Sequence, residues 1–444
     1  MKQSKHKAGK GRVPGILMTL MAGLIALNLA GCEGLGIPWL NPEVSPSPGT
    51  PTLPSGDATP DQEMTQTPTQ APPPESLTIW LPPEMDTEGD QPAATLLRAR
   101  LEAFSSANDG IEINVRIKEV SGVGGLLDAL IATNAAAPDS LPGLIALPRR
   151  DLETAALKSL IYPIDDLTTI IDEPDWYPYA HEMALIQGTG YGVPFVGDAL
   201  VLAYRTDVVD QPPISWDAIL GSGLSIAFAA DDPQASLTLA LYQAAGGAVQ
   251  DNQRRPTLDV EVLTEVLQFY GKGMEGGTIA STCLEFQTET QAWQAFQQKE
   301  ASAVVVSLAR YLQSAPEGTS MVILPPLLDA PATAATGWVW AVATPKPERQ
   351  ALSARLAEAL VEPQFLSGWS QALGRIPARP TSLDAWNITS LKPLLNQISL
   401  ASVLKPNNDI VSSLGPILRD ATMQVLRGQV DPAQAAEVAK ESLQ

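Results

Sequence analysis

Residues 191–207 read YGVPFVGDALVLAYRTD, and the fold turns on how this stretch is taken. Gly192, Val193 and Pro194 make an entry that a helix cannot hold, because proline lacks the N–H and clashes with the preceding turn. Leu200, Val201, Leu202 and Tyr204 then form a β-rich run, with one carboxylate, Asp198, between entry and run. The stretch therefore predicts an extended segment that carries the chain from one α/β lobe into a second, with Pro194 marking a strand edge or a bend.

Upstream of it the pattern alternates. Residues 77–81 (LTIWL) read as a strand and 93–104 as a helix with Leu96, Leu97, Leu101 and Phe104 on one face. Ile111, Ile113, Val115 and Ile117 alternate with polar residues, a strand with one covered face. A second helix is expected over 124–135, a short strand over 141–147 and a helix from about Asp151. Strand and helix in alternation are the grammar of a parallel sheet covered on both faces. The glycines of Ser121-Gly122-Val123-Gly124-Gly125 lack the Lys-Ser/Thr of a phosphate loop and the third spaced Gly of a dinucleotide turn, so they read as a strand-to-helix turn. Asp165 and Asp166 are adjacent and are expected to cap the next helix.

Downstream, Ser215 is the expected cap of a helix with Trp216 packed beneath it, followed by a strand over 224–229 and helices over 236–245, 260–270 and 288–299. Residues 321–325 are the expected return crossing. Gly337 to Val342 then reads as a strand with Trp338 and Trp340 on one face. The amphipathic run 409–427 stops at Gly428, and a last helix starts at Asp431-Pro432.

The first 76 residues are of another kind. Lys2, Lys5, Lys7, Lys10 and Arg12 precede an apolar run over 13–30, the layout of an export signal. Leu29-Ala30-Gly31-Cys32 looks like a bacterial lipobox, whose thiol, Cys32, would be acylated and hold the protein to the membrane. The boundaries are taken as 1–31 for the signal peptide and 32–76 for a Pro/Ser/Thr-rich tether that cannot bury enough surface to fold. The whole chain carries 28 Lys+Arg against 49 Asp+Glu, a net charge of −21, and losing the five basic residues of the signal deepens this to −26. Such a field disfavours a nucleic-acid partner. With Cys32 acylated, Cys283 is alone and reads as a small buried residue. One histidine, His181, follows the signal, no Ser sits in a nucleophile-elbow setting and no His/Cys spacing suits a metal, so neither an enzyme nor a cofactor is expected.

On these residues the chain resembles the maltose-binding-like extracellular solute-binding proteins of ABC importers. The resemblance rests on Tyr191-Gly192-x-Pro194, on Ala203-Tyr204-Arg205-Thr206-Asp207 with Arg205 where the family has Asn, and on Pro212 to Asp217. It extends to the segment around Lys299, to Gly337-Trp338, to Arg375–Pro380, and to Gly428-x-x-Asp431-Pro432-x-x-Ala435. It implies a two-lobe periplasmic-binding-protein fold of type II, each lobe a mainly parallel α/β sheet flanked by helices, with three hinge crossings near Pro194, Pro325 and Pro377. Lobe one would comprise 77–198 and 321–377, and lobe two 199–320 and 378–444.

The same resemblance implies a small-molecule solute, a sugar first, held by Trp80, Glu84, Asp198, Arg310, Tyr311, Trp338 and Arg379, with ABC permease subunits as partners and a monomeric state. Two departures keep other solutes open: Leu414-Gly415-Pro416 stands where maltodextrin-binding relatives place aromatic platforms, and aromatic content is 5%. The acidic surplus makes a polyamine an alternative, and a non-transporting sensor or structural lipoprotein is another.

Overall fold

A computed structural model describes residues 76–209, 211–327 and 331–443. The expected signal, almost the whole tether and Cys32 lie outside the described residues.

The strands in chain order are β1 (Ser76–Leu81), β2 (Glu112–Ile117), β3 (Leu144–Pro148), the small hairpin β4 (Leu185–Ile186) and β5 (Thr189–Gly190), and the long β6 (Val193–Arg205). They continue with β7 (Ile226–Ala227), β8 (Ala303–Ser307), β9 (Thr319–Ile323), β10 (Thr333–Val342), β11 (Ile376–Pro377) and β12 (Ser402–Leu404). A first group is ordered β2-β1-β3-β10-β6, with β11 on β6 and β12 on β10. β1 runs parallel to β2 and β3, as the alternating pattern predicts. β10, however, runs antiparallel to both β3 and β6, so this sheet is mixed rather than mainly parallel. In the second group the far half of β6 pairs antiparallel with β8 and β9, and β7 pairs parallel with β8.

β6 is thus common to both sheets, and its 13 residues are buried over most of their length. Pro194 sits inside the strand rather than at its edge. It is tolerated because the pairing with β10 slips there: Trp338 faces Val196 and Val339 faces Pro194, leaving Phe195 unopposed. A bulge is where a strand can do without one N–H. The unopposed Phe195 stacks on Trp340 (ring centroids 4.4 Å apart) and on Trp369 (5.5 Å), which makes the aromatic centre of the first lobe.

Two residues further on, Gly197 of β6 faces Gly337 of β10. The pair has no side chains because the helix Pro178–Ala184 lies on it: a Cβ on Gly197 would overlap the Tyr179 hydroxyl, and one on Gly337 would meet Met183 and the Val196 carbonyl. The close approach lets a helix rest on the strand where it leaves the first sheet.

The strand β2, whose alternation is the clearest in the sequence, is the edge strand of its sheet, with Ile113 and Val115 half-buried and Ile117 exposed. β1 lies inside the sheet, and Leu77, Ile79, Trp80 and Leu81 are all buried. The helix Pro92–Ala107 packs against Pro363–Leu373, and Arg100 ties it to the neighbouring helix Pro347–Leu360 by donating to the Ala359 carbonyl (2.9 and 2.6 Å). In the second lobe the helices Val260–Glu275, Asn408–Leu426 and Pro432–Glu441 pack together. A buried hydroxyl chain, Tyr270–Thr238–Thr422 (3.1 and 2.9 Å), links Val260–Glu275, Ser236–Ala244 and Asn408–Leu426. Ser215 does cap its helix, accepting from the Ala218 N–H at 3.1 Å, and Trp216 is core, packed on Phe269. Cys283 is fully buried, its Sγ between the Phe228 N–H and the Ile226 carbonyl (3.4 Å each).

Two local expectations are corrected. Asp165 does not cap a helix; it accepts from the Gly190 N–H (3.1 Å) and ties the β4–β5 hairpin down. Residues 321–323 are still paired with β6 inside β9, so the chain returns to the first sheet only between Leu324 and β10. The third passage also falls late. β11 pairs with β6 at Val196 and Gly197, the helix Pro380–Asp384 packs on Pro363–Leu373, and β12 pairs with β10, so the chain leaves the first sheet at Lys405–Asn407 rather than near Pro377. Between them the helix Lys392–Leu400 lies across the bend, touching both Pro178–Ala184 and β9.

Candidate functional site

The three passages frame a groove. One wall comes from Asp198 to Leu200 of β6, Ala334 to Thr336 of β10 and Lys405; the other from Phe228, Asp232, Ser236, Gln287 to Glu289, Ser307 and Arg310. Its volume is about 520 Å³, room for a solute of a few dozen heavy atoms at most. A second cavity of about 1020 Å³ lies beyond Lys405, lined by Arg149, Glu153, Glu182, Arg254 and Asn407 among others. Lys405 lines both.

Asp198 is held on every side. Its Oδ1 accepts from its neighbour Ala199 N–H (2.9 Å) and from the Ala309 N–H (3.0 Å), at the start of the helix Leu308–Ser314 on the second lobe. Its Oδ2 lies 3.5 Å from the Arg375 guanidinium, which also holds Glu84 at 2.8 Å. Burial pushes the Asp198 carboxyl up to about 6 against the opposing pull of Arg375 and the two N–H groups.

The sign of its effect on stability follows. A carboxyl whose folded value lies above the unfolded 3.8 binds more protons in the folded state between the two values, so its contribution falls as pH rises through that window. We expect the unfolding free energy of the native protein to drop relative to Asp198→Asn by up to about 3 kcal/mol between pH 4 and pH 7, the equivalent of the shift at 1.36 kcal/mol per unit. Denaturant titrations of both proteins at several pH values measure this, and parallel pH profiles would refute it.

The second wall is built from helix starts. Ser236 opens Ser236–Ala244, Thr288 caps Glu289–Gln297 in a capping box with Gln291, and Ser307 caps Leu308–Ser314. Asp232 accepts from the Gln234 and Ser236 N–H groups (3.0 and 2.9 Å), which fixes the loop before the first of these helices. That loop includes Ala235 at φ 46°, a left-handed conformation alanine seldom adopts. Behind it Gly415 lets the helix Asn408–Leu426 come against the Pro233 carbonyl, where a Cβ would have no space. The Leu414-Gly415-Pro416 sequence that replaces an aromatic platform thus serves as the backing of the groove loop.

Of the seven ligand candidates, Asp198 and Arg310 line the groove. Arg310 donates from Nε to Glu289 (2.6 Å) and from Nη2 to Thr290 (3.2 Å). Glu84 joins Asp198 only through Arg375. The other four are placed elsewhere. Trp80 is buried in β1 with Lys118 over its ring at 5.1 Å. Tyr311 is buried on the far side of its helix, and Trp338 is covered within β10. Arg379 is buried against Trp176 (4.5 Å) and ion-paired with Asp175 and Glu173. All four side chains are buried and none lines the groove. Asp232, Ser236, Gln287, Thr288, Glu289, Ser307 and Lys405 were not singled out. Their signal in the sequence is indirect: several stand at predicted helix starts, positions that in a two-lobe sheet protein point across the crossing.

A family model described as bacterial extracellular solute-binding protein matches residues 99–393. No curated protein sequence matches the chain. Solved structures with the same fold include the cyclic α-maltosyl-1,6-maltose binding protein from Arthrobacter globiformis, with TM-score 0.69 and 15% identity, covering 84% of this chain and 98% of that one. The sugar-binding protein MalE from Xanthomonas citri matches with TM-score 0.66 and 19% identity, covering 82% and 95%. An ABC transporter solute-binding protein from Thermotoga lettingae bound with α-D-tagatose matches with TM-score 0.62 and 16% identity, covering 83% and 98%. These neighbours are two-lobe binding proteins, and the sheets joined by β6 are those lobes.

Proposed function

This chain belongs to the bacterial extracellular solute-binding protein family, a family of binding proteins rather than enzymes, and from that premise we propose that it captures a small carbohydrate in the Asp198 groove and delivers it to an ABC importer. It does so as a lipoprotein held at the membrane through Cys32, with the tether 32–76 lifting the lobes off the surface. The observation that carries this reading is the groove itself: hydrogen-bonding side chains from both lobes face one cavity where the chain passes between the sheets. A solute touching both walls stabilises the closed arrangement by its differential affinity. Hydroxyls of a sugar match the carboxylates, amides and hydroxyls of Asp198, Glu289, Gln287, Thr288 and Ser307, while Phe228 offers the one aromatic face in the lining. The neighbours named as a cyclic α-maltosyl-1,6-maltose binding protein and as a solute-binding protein bound with α-D-tagatose support the solute class.

Thermal unfolding with mono- and oligosaccharides, polyols and polyamines tests the reading. The bound sugar is expected to stabilise the protein by about 2.7 kcal/mol at a hundredfold excess over Kd, read as a rise in Tm. The acidic surplus of the chain favours a polyamine as the second reading, and a panel in which only polyamines raise Tm removes the sugar.

A further inference from the structure

The charges that line the groove are unequally engaged. Each acid already has partners: Asp198 has two N–H donors and Arg375, Asp232 has the Gln234 and Ser236 N–H groups, and the Glu289 Oε1 accepts from Arg310 and from Ser307 (3.0 Å). Lys405 is in the opposite situation. Its backbone N–H is fixed to the Ala335 carbonyl of β10 (2.9 Å), and its ammonium crosses the groove to two neutral acceptors, Gln234 Oε1 (2.6 Å) and Ser236 Oγ (3.1 Å). Among the described residues no carboxylate comes within 4.0 Å of it.

A half-buried ammonium with no carboxylate in direct contact is unfavourable, and here desolvation lowers its pKa against the more distant pull of Asp232. The third ammonium donor and the Arg310 Nη1 add donor capacity around the same space, and on the far side of Lys405 the buried Arg149 has an Nε with no partner among the described residues. Among the described residues no Trp or Tyr lines either cavity.

We propose that the groove selects a solute bearing one anionic group, a carboxylate or a phosphate ester on a sugar-sized body, and that Lys405 is the residue that recognises the anion. This rests on the carbohydrate reading above and narrows it from neutral to acidic sugars. The anion takes the third ammonium donor and supplies a counter-charge in direct contact, which the more distant Asp232 does not, while the Gln234 and Ser236 contacts keep the ammonium aimed across the groove. Because Lys405 sits at the third passage and its two acceptors sit on the second lobe, the anion is bound where the lobes meet.

Calorimetry on the full-length protein with D-galacturonate, D-galactose, glucose 6-phosphate, inorganic phosphate and spermidine decides it. Galacturonate or glucose 6-phosphate is expected to bind at least tenfold more tightly than galactose, and which of the two is tighter separates carboxylate from phosphate. Lys405→Met is expected to collapse that ratio to near one, while Lys405→Arg retains it. A thermal melt of each variant verifies folding, and Lys405→Gln replaces the Met variant if that one melts early. Galactose binding as tightly as the acids overturns the proposal but leaves the carbohydrate reading standing, as does an acid preference that survives in Lys405→Met. Inorganic phosphate binding with no sugar overturns the carbohydrate reading and keeps the anion selectivity, spermidine binding alone overturns both, and so does a panel with no binder.

Discussion

Gly197→Val is expected to lower the unfolding free energy by about 3 kcal/mol or more, at the upper end of what overpacking a core costs. The position is the last of β6 before Asp198, and the space a side chain would need holds the Tyr179 ring, which is buried, with a hydroxyl that has no partner among the described residues. The ring cannot withdraw without lifting the helix Pro178–Ala184 from the sheet, and on the other face the backbone is fixed by pairing with Gly337 and Ile376. The denaturation midpoint measures the loss. Pairing the variant with Tyr179→Ala should return part of it, because the two changes share one contact and are then not additive. A Gly197→Val protein with an unchanged midpoint would mean that the strand shifts freely at the crossing.

Trp340→Ala is expected to cost about 3–5 kcal/mol, the usual range for truncating a buried large aromatic. Trp340 is fully buried, 4.4 Å from Phe195 and 6.1 Å from Trp369 between ring centroids, and Phe365 extends the stack from Trp369 at 5.6 Å. Removing this ring from the cluster leaves a cavity that Phe195 cannot fill, since the bulge beside Pro194 fixes its backbone. Trp340→Phe should lose much less. Equilibrium unfolding in urea distinguishes the two, and an alanine variant within 1 kcal/mol of the native protein would show that the row is not what holds the first lobe together.

What was legible in the sequence was local. The strand through Asp198, the Ser215 cap and the buried Trp216 each rest on a handful of neighbouring residues, and the structure has them. The signal that misled was period two in strands. It puts Trp338 and Trp340 on a common face without saying whether a helix covers that face, and it makes Trp80 look presentable when β1 lies between two other strands. Arg379 and Tyr311 rest on the resemblance alone, and each side chain is buried, Arg379 in ion pairs with Asp175 and Glu173. The groove wall was out of reach of local reading. Lys405 is more than a hundred residues of chain from both Asp232 and Thr288 and meets them only because three passages bring two sheets together. The family resemblance of residues 375–380 places the last crossing near Pro377, yet β11 pairs with β6 there, and the chain leaves later, at Lys405-Pro406-Asn407.

Cys283 stands directly behind the groove, hydrogen-bonded to the Phe228 backbone, with its thiol pushed up to about 11 by burial. An alkylating reagent meets neither a thiolate nor an open path until the β7 edge separates from its neighbours. The sulfur is therefore a clock for that event: its labelling rate counts how often the floor beneath a bound solute comes apart, and occupancy of the site should slow it.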